Sequence, residues 1–304
     1  MATYNGEKYI EEQLQSIINQ TYTDWRLIIS DDCSSDRTVE ILKCYQEKYS
    51  EKIIVHENSI PSGSAKNNFY NLLDYTTSEY VMFSDQDDVW KPDKISITYN
   101  KMLEMEKECG GDMPLLVHTD LCVVDKNLNV INNSLFAMQE MDYKRDKLNN
   151  LLVENIVTGC TVMVNRYLLD MVIKKPQFSL MHDIWLALIA TVFGQIGFIN
   201  KATVFYRQHD NNLVGAKNTE SIMYIVKKMF SFEKIHNILL AQYKQADEFL
   251  DMYHDYIADW KIIRILCEYS LLMHKNIFCR VISLYKYDLL KKEFLKKVGR
   301  IIYG

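Results

Sequence analysis

The chain has 304 residues, 48% hydrophobic and 25% charged, a globular balance that excludes an intrinsically disordered chain. That length suits one catalytic-size domain with an appendage. Ten glycines and four prolines exclude collagen-like and low-complexity classes, and a net charge of −5 gives no general attraction for nucleic acid.

Apolar positions at helical spacing predict a helix over Tyr9–Ile18. The run WRLIIS at 25–30 reads as a short buried strand. Thr38–Tyr49 reads as a helix that Ser34, Ser35 or Asp36 can cap. A strand over Lys52–His56, a helix over Asn67–Tyr75 and strands over Tyr80–Ser84 and LLVHTD at 115–120 follow. The longest apolar stretch, Ile184–Ile199, is short for a membrane span and is interrupted by Gln195 and two glycines. It reads as a buried helix running into a strand. Such β/α alternation predicts an α/β fold, a mostly parallel central sheet with covering helices, whose ligands sit beyond the carboxyl ends of the strands. From Gly215 to Gly299 the chain has neither Gly nor Pro over 83 residues, so helices can run without interruption. We therefore expect a catalytic domain over residues 1–215 and an all-helical C-terminal region over 216–304.

Seven cysteines, at 33, 44, 109, 122, 160, 267 and 279, form no C-x-x-C pair. An odd, irregular set argues for reduced thiols in a cytoplasmic protein rather than a disulfide scaffold or a zinc site. No basic segment followed by an apolar core opens the chain, so no signal peptide is expected.

Polar clusters follow three of the strands: Ala2–Gly6, Asp31–Asp36 and Asp85–Asp88. Converging strand ends would bring at least five carboxylates to one crevice. Their mutual repulsion calls for a cation or for hydrogen-bond donors. Mg²⁺ or Mn²⁺, with a nucleoside diphosphate completing its coordination, would supply the charge. Read alone, Asp31–Asp36 could also be a helix N-cap region, Asp85–Asp88 an acidic turn and Asp183 a simple cap of the helix that follows it.

The motifs ATYNG (2–6), QTYTDW (20–25), DDCSSDRT (31–38), FSDQDDVWKPDKI (83–95), TGC (158–160), HDIW (182–185) and YRQHDNN (206–212) occur in order. In these the chain resembles the family 2 glycosyltransferases, inverting enzymes of the GT-A fold, over roughly residues 1–215. DQDDVW, HDIW and YRQHDNN together look most like the bacterial rhamnosyltransferase branch. The resemblance implies that Tyr4 and Asp32 hold the nucleotide base, with Thr3 beside them. It implies a D-x-D pair in which Asp87 binds the metal and Asp85 the ribose or metal shell. It places Asp183 as the catalytic base and His209 on the diphosphate or metal, with Lys66 and Asn68 as donor contacts. A donor and acceptor pocket would draw on Trp90, His118, Asp120, Thr158, Gly159, His182, Trp185 and Arg207. Trp90 and Trp185 fit sugar-stacking and core roles alike.

The family normally has a full apolar strand before the A-T-Y-N segment, and Met1–Ala2 is too short for one, so we expect about eight more strand residues upstream. The implied partners are a nucleotide sugar, with dTDP-L-rhamnose first and UDP-hexoses as alternatives, and a lipid-linked or polysaccharide acceptor. An inactive nucleotide-sugar-binding subunit and a nucleotidyltransferase are competing readings; the latter lacks its Gly-rich phosphate loop. From His274 to Gly304, eight Lys and Arg face two acids. Ile277, Val281, Leu284, Leu290, Phe294, Val298 and Ile301 recur there at helical spacing, flanked by Lys291, Lys292, Lys296 and Arg300. Such a helix suits peripheral membrane contact, or packs on neighbouring helices or on a second subunit in a homodimer.

Overall fold

A computed structural model describes residues 1–209 and 232–290. The Gly215 boundary, Asp210, Asn211 and Asn212 of the YRQHDNN motif, and the tail stripe beyond Leu290 lie outside the described residues.

Strands β1 (Ala2–Thr3), β2 (Leu27–Asp31) and β3 (Ile53–Glu57) form an all-parallel sheet in that order. Helices α1 (Ile10–Ile18) and α2 (Thr38–Lys48) connect them. Ile10, Leu14 and Ile17 of α1 and Leu42 of α2 share a core with Ile29 and Ile53. Helix α3 (Ala65–Leu73) starts at Ser64, whose side chain accepts from Asn67 N–H.

The second sheet is mixed. Strands β4 (Tyr80–Met82), β5 (Val89–Trp90), β6 (Leu115–Val124), β7 (Val130–Asn132), β8 (Met163–Asn165) and β9 (Gln195–Arg207) run in the order β4-β8-β6-β9-β5, with β7 on β6. Its one parallel pairing among the described residues is β6 with β9; the rest are antiparallel. The expected parallel order thus holds for the first sheet, while in the second the short strands add as antiparallel edges to a long parallel pair. Register shifts around Asp120 bend β6 against β9 and curl this sheet.

Helix α4 (Lys94–Cys109) covers the second sheet and ends at Gly110, whose φ of 91° suits glycine. Short helices α5 (Leu135–Met138), α6 (Leu148–Leu151) and α7 (Arg166–Asp170) precede α8 (His182–Phe193). Helix α8 is apolar all round from Ile184 onward and is accordingly buried from Trp185 to Ala190. It stops at Gly194, where a Cβ would overlap the Pro114 carbonyl, and β9 begins at once. The expected helix-into-strand is this junction.

Three C-terminal helices, Phe232–Tyr253, Trp260–Ser270 and Ile277–Lys286, share a buried cluster with α8. Trp185 meets Phe249 and Tyr253 at ring separations of 5.2 and 6.2 Å. The Tyr269 hydroxyl donates to the Leu152 carbonyl, and Arg145 donates to Leu290 O at 2.8 Å. Trp185, Phe249, Leu266 and Leu284 belong to one buried cluster with Leu116 of the sheet.

Candidate active site

Both turns after β1 and β2 use left-handed backbone, at Asn5 (φ 48°) and Cys33 (φ 64°). Asp31 holds the second turn: its carboxylate accepts from Ser34 N–H at 2.8 Å, Ser34 Oγ at 2.6 Å and Thr3 Oγ1 at 2.9 Å. Thr3 is buried and so braces Asp31 rather than facing a nucleotide. Asp32 accepts from Ser62 N–H (2.6 Å), Ser62 Oγ (2.8 Å) and Asn58 Nδ2 (2.9 Å), which ties the loop after β3 to the crevice. Tyr4 is 58% exposed beside it. Asn68, buried, spends its amide on Ser30 O and Ser30 Oγ, and Lys66 donates to Gln177 O and Ser179 O. Asn68 is therefore a tie between α3 and β2, and Lys66 is engaged by backbone carbonyls.

The D-Q-D-D turn carries a device that its residue types do not announce. Gln86 Oε1 accepts from Tyr4 N–H at 2.8 Å and Gln86 Nε2 donates to Tyr4 O at 2.9 Å. This two-point clamp joins the end of β1 to the turn after β4. A Cβ on Gly6 would overlap Gln86 Oε1, so a side chain there would have to displace the Gln86 amide from its clamp. The signal was present only as a Gln inside the motif.

Burial, then the charges of Asp87 and Asp183, push the Asp85 carboxyl up to about 7. Asp88 is buried and pushed well above the ordinary range, first by burial and then by Asp87 and Asp85. Burial leaves these carboxyls short of solvation, and hard oxygen donors suit Mg²⁺ or Mn²⁺. Asp85, Asp88 and Cys160 also bring one ligand atom each within 4.8 Å of one another, yet a buried thiol pushed well above its usual range is a poor partner for a hard cation. Asp85 and Asp87 are the better-suited pair.

Asp87 is held from two sides. His209 Nε2 lies 2.8 Å from Asp87 Oδ2, and Arg207 Nε donates to the Asp87 carbonyl at 2.8 Å. Between these two residues sits the Tyr9 ring, 4.8 Å from the His209 ring and 4.6 Å from the Arg207 guanidinium. Arg207 is only 2% exposed; it also donates to Lys126 O and to the Glu12 carboxylate. It was expected at the donor and acceptor pocket, and among the described residues its guanidinium braces the acidic turn. Tyr9 and Glu12 were not foreseen as parts of the site, because on α1 they read as ordinary helix positions.

Asp183 stands in the first turn of α8. Its Oδ1 accepts from Ile184 N–H at 2.7 Å and its Oδ2 from Gly159 N–H at 2.9 Å. Burial outweighs these donors and pushes its carboxyl up to about 6. A helix start favours the ionised form, but desolvation is the larger influence here. Gly159 opens a 3₁₀ turn after Thr158, whose carbonyl accepts from Thr161 N–H and Oγ1. A Cβ at 159 would come within 2.9 Å of His182 Nε2.

Several other expected pocket residues are core residues. His182 is buried against Phe69 and Phe83, at ring separations of 4.0 and 4.9 Å, and burial pushes it down to about 3. His118 is wholly buried beside Phe136 and Phe198 and is likewise pushed down to about 3. Asp120 accepts from Leu135 N–H, Phe136 N–H and Ser134 Oγ, so it anchors the start of α5. Trp185 is fully buried, and Trp90 is buried with the Lys94 ammonium 4.7 Å over its ring. Both tryptophans take the core alternative.

A divided sheet with carboxylates at its strand ends defines a GT-A glycosyltransferase. The chain matches glycosyl transferase family 2 over residues 1–170 and belongs to that family. It is a glycosyltransferase. It is 33% identical over 237 residues to the dTDP-rhamnosyl transferase RfbG of Shigella flexneri, covering 71% of this chain and 74% of that one. It is 28% identical over 177 residues to the UDP-Glc:alpha-D-GlcNAc-diphosphoundecaprenol beta-1,3-glucosyltransferase WfgD of Escherichia coli, covering 56% and 60%. Among solved structures it is similar in fold to S. aureus TarS 1-349 in complex with UDP (TM-score 0.57, 17% identity, 94% of this chain and 78% of that one). It is also similar in fold to the mannosyltransferase PcManGT from Pyrobaculum calidifontis in complex with GDP-Man and Mn²⁺ (TM-score 0.53, 14% identity, 99% and 83%).

Proposed function

We propose that the protein transfers L-rhamnose from dTDP-L-rhamnose, with inversion, to a hydroxyl of a growing lipid-linked cell-surface polysaccharide. The likeness to RfbG over most of both chains supports the donor. The observation that carries the chemistry is the buried Asp183 carboxylate, held by two backbone N–H groups and close enough to Asp85 for the two charges to interact.

In this reading Tyr4 and Asp32 hold the base at the ends of β1 and β2. Asp85 and Asp87 would hold Mg²⁺ or Mn²⁺, which when bound offsets the charge that develops on the leaving diphosphate. Arg207, Tyr9 and His209 keep Asp87 in place. Asp183 takes the proton from the acceptor hydroxyl as its oxygen bonds to the anomeric carbon and the bond from that carbon to the diphosphate oxygen breaks. Burial of Asp183 keeps water from competing for that proton.

A UDP-hexose is the second reading of the donor, favoured by the likeness to WfgD. A thermal-shift panel of nucleotide sugars with Mn²⁺ separates the two, because a bound donor raises apparent stability by mass action. The larger shift is expected with dTDP-L-rhamnose; a larger shift with a UDP-hexose overturns the rhamnose assignment. Among the described residues no helix is long and apolar enough to cross a membrane. We place the protein peripherally on the cytoplasmic face of the membrane, where a lipid-linked acceptor is presented.

A further inference from the structure

The outward side of the helix Ile277–Lys286 is apolar. Its inward side is engaged from Arg280 to Leu284: Leu284 is buried, Ser283 Oγ donates to Glu268 Oε2 at 3.0 Å, and Arg280 donates to Leu272 O and Lys275 O. On the opposite side stand Phe278 (73% exposed), Ile282 (50%) and Tyr285 (65%). Their spacing of four and then three residues sets them in one row. A helix that is apolar on both sides is ordinarily covered on both. Nearby, Arg264 lies within 6.0 Å of the Trp260 ring and 5.8 Å of the Tyr287 ring, and Trp260 is itself 60% exposed.

Charge selects the occupant. Residues 260–290 carry five Lys and Arg (261, 264, 275, 280, 286) against Glu268 and Asp288; Lys275 pairs with Glu268 and Arg280 donates inward, which leaves Lys261, Arg264 and Lys286 as the exposed cations of this region. Beyond residue 290 the sequence adds Lys291, Lys292, Lys296, Lys297 and Arg300 against one acid, Glu293. A second copy docked across a twofold axis would set this cationic rim against itself. Exposed aromatic and aliphatic side chains ringed by cations instead match the interfacial layer of an anionic bilayer.

We propose that the outer row of this helix, with Trp260, is the surface on which the protein lies against an anionic membrane. It rests on the peripheral attachment proposed above and names the side chains that enter the bilayer. The test is sedimentation of the full chain with phosphatidylglycerol vesicles and with phosphatidylcholine vesicles. Three full-length forms are compared: wild type, the combined Phe278→Ser, Ile282→Ser and Tyr285→Ser form, and a form with Lys291, Lys292, Lys296, Lys297 and Arg300 changed to Gln. Trp260→Ser is a second, milder face variant, and an unchanged melting temperature shows that each is folded. Wild type should bind the anionic vesicles and be released by high salt, and the triple form should bind at least about tenfold less. If the triple form and Trp260→Ser bind as wild type does while the Gln form is released, attachment stands and the face assignment fails. If wild type binds neither vesicle, both fail. If the triple substitution turns a dimer into a monomer without changing vesicle binding, the row belongs to a second copy and the proposal is overturned.

Discussion

Asp183 is pulled two ways. Burial raises its carboxyl to about 6, while the amides of Ile184 and Gly159 favour the charged form. A base in that range suits proton abstraction near neutral pH. Only the deprotonated form accepts a proton, so kcat/KM should be level at higher pH and fall about tenfold per unit below about pH 6. Added divalent cation should move that limb lower, since positive charge nearby favours the carboxylate. Asp183→Asn should keep donor binding, lose the limb and lower turnover by about 10²–10⁴-fold. Steady-state rates across pH for both proteins test this; an unchanged profile in the variant assigns the base elsewhere. Arg207→Met should destabilise by about 1–3 kcal/mol, because it leaves the Asp87 and Lys126 carbonyls without their donor. The urea midpoint measures that. At this scale the residue types were legible in the sequence but their partners were not. A carboxylate at a helix start is visible in HDIW; that it meets Gly159 N–H, 24 residues away, is not. His118 and Asp120 show the converse. Both look functional as a polar pair at a strand end, yet a ten-residue strand buried along its whole length hides them.

Among the elements, the turn Gly159–Thr161 and the start of α8 form one unit. The His182 ring is trapped between Phe69 and Phe83, so it cannot yield to a side chain at position 159. Gly159→Ala should therefore displace the turn or the helix start and stretch the Gly159–Asp183 bond. We expect turnover about 10²-fold lower, the scale of a misplacement near 1 Å, with the thermal shift by donor retained. Loss of donor binding along with turnover would show instead that the crevice as a whole has collapsed. The helices and strands through β4 were legible because each has a clear apolar period and a polar end. The antiparallel additions to the second sheet were not. β5, β7 and β8 have two or three residues each, too few to carry a period of their own, and their pairing is set by β4, β6 and β9.

For the whole molecule, the C-terminal helices and the glycosyltransferase fold share a core through Trp185, Phe249 and Leu284. Trp185→Ala should cost about 3–5 kcal/mol and shift one cooperative transition. Two separate transitions in calorimetry would show that the helices fold by themselves. The central claim is that carboxylates at the strand ends bind a cation-linked nucleotide sugar while Asp183 activates the acceptor. Its most direct test is dTDP release from dTDP-L-rhamnose in the presence of a polysaccharide acceptor, for wild type, Asp87→Ala and Asp183→Asn, with Mn²⁺ and in excess chelator. Wild type should turn over with Mn²⁺ and stop in chelator, Asp87→Ala should need far more donor and turn over slowly, and Asp183→Asn should bind donor without turnover. Full wild-type activity in chelator, or more than about a tenth of it in Asp183→Asn, would contradict the account.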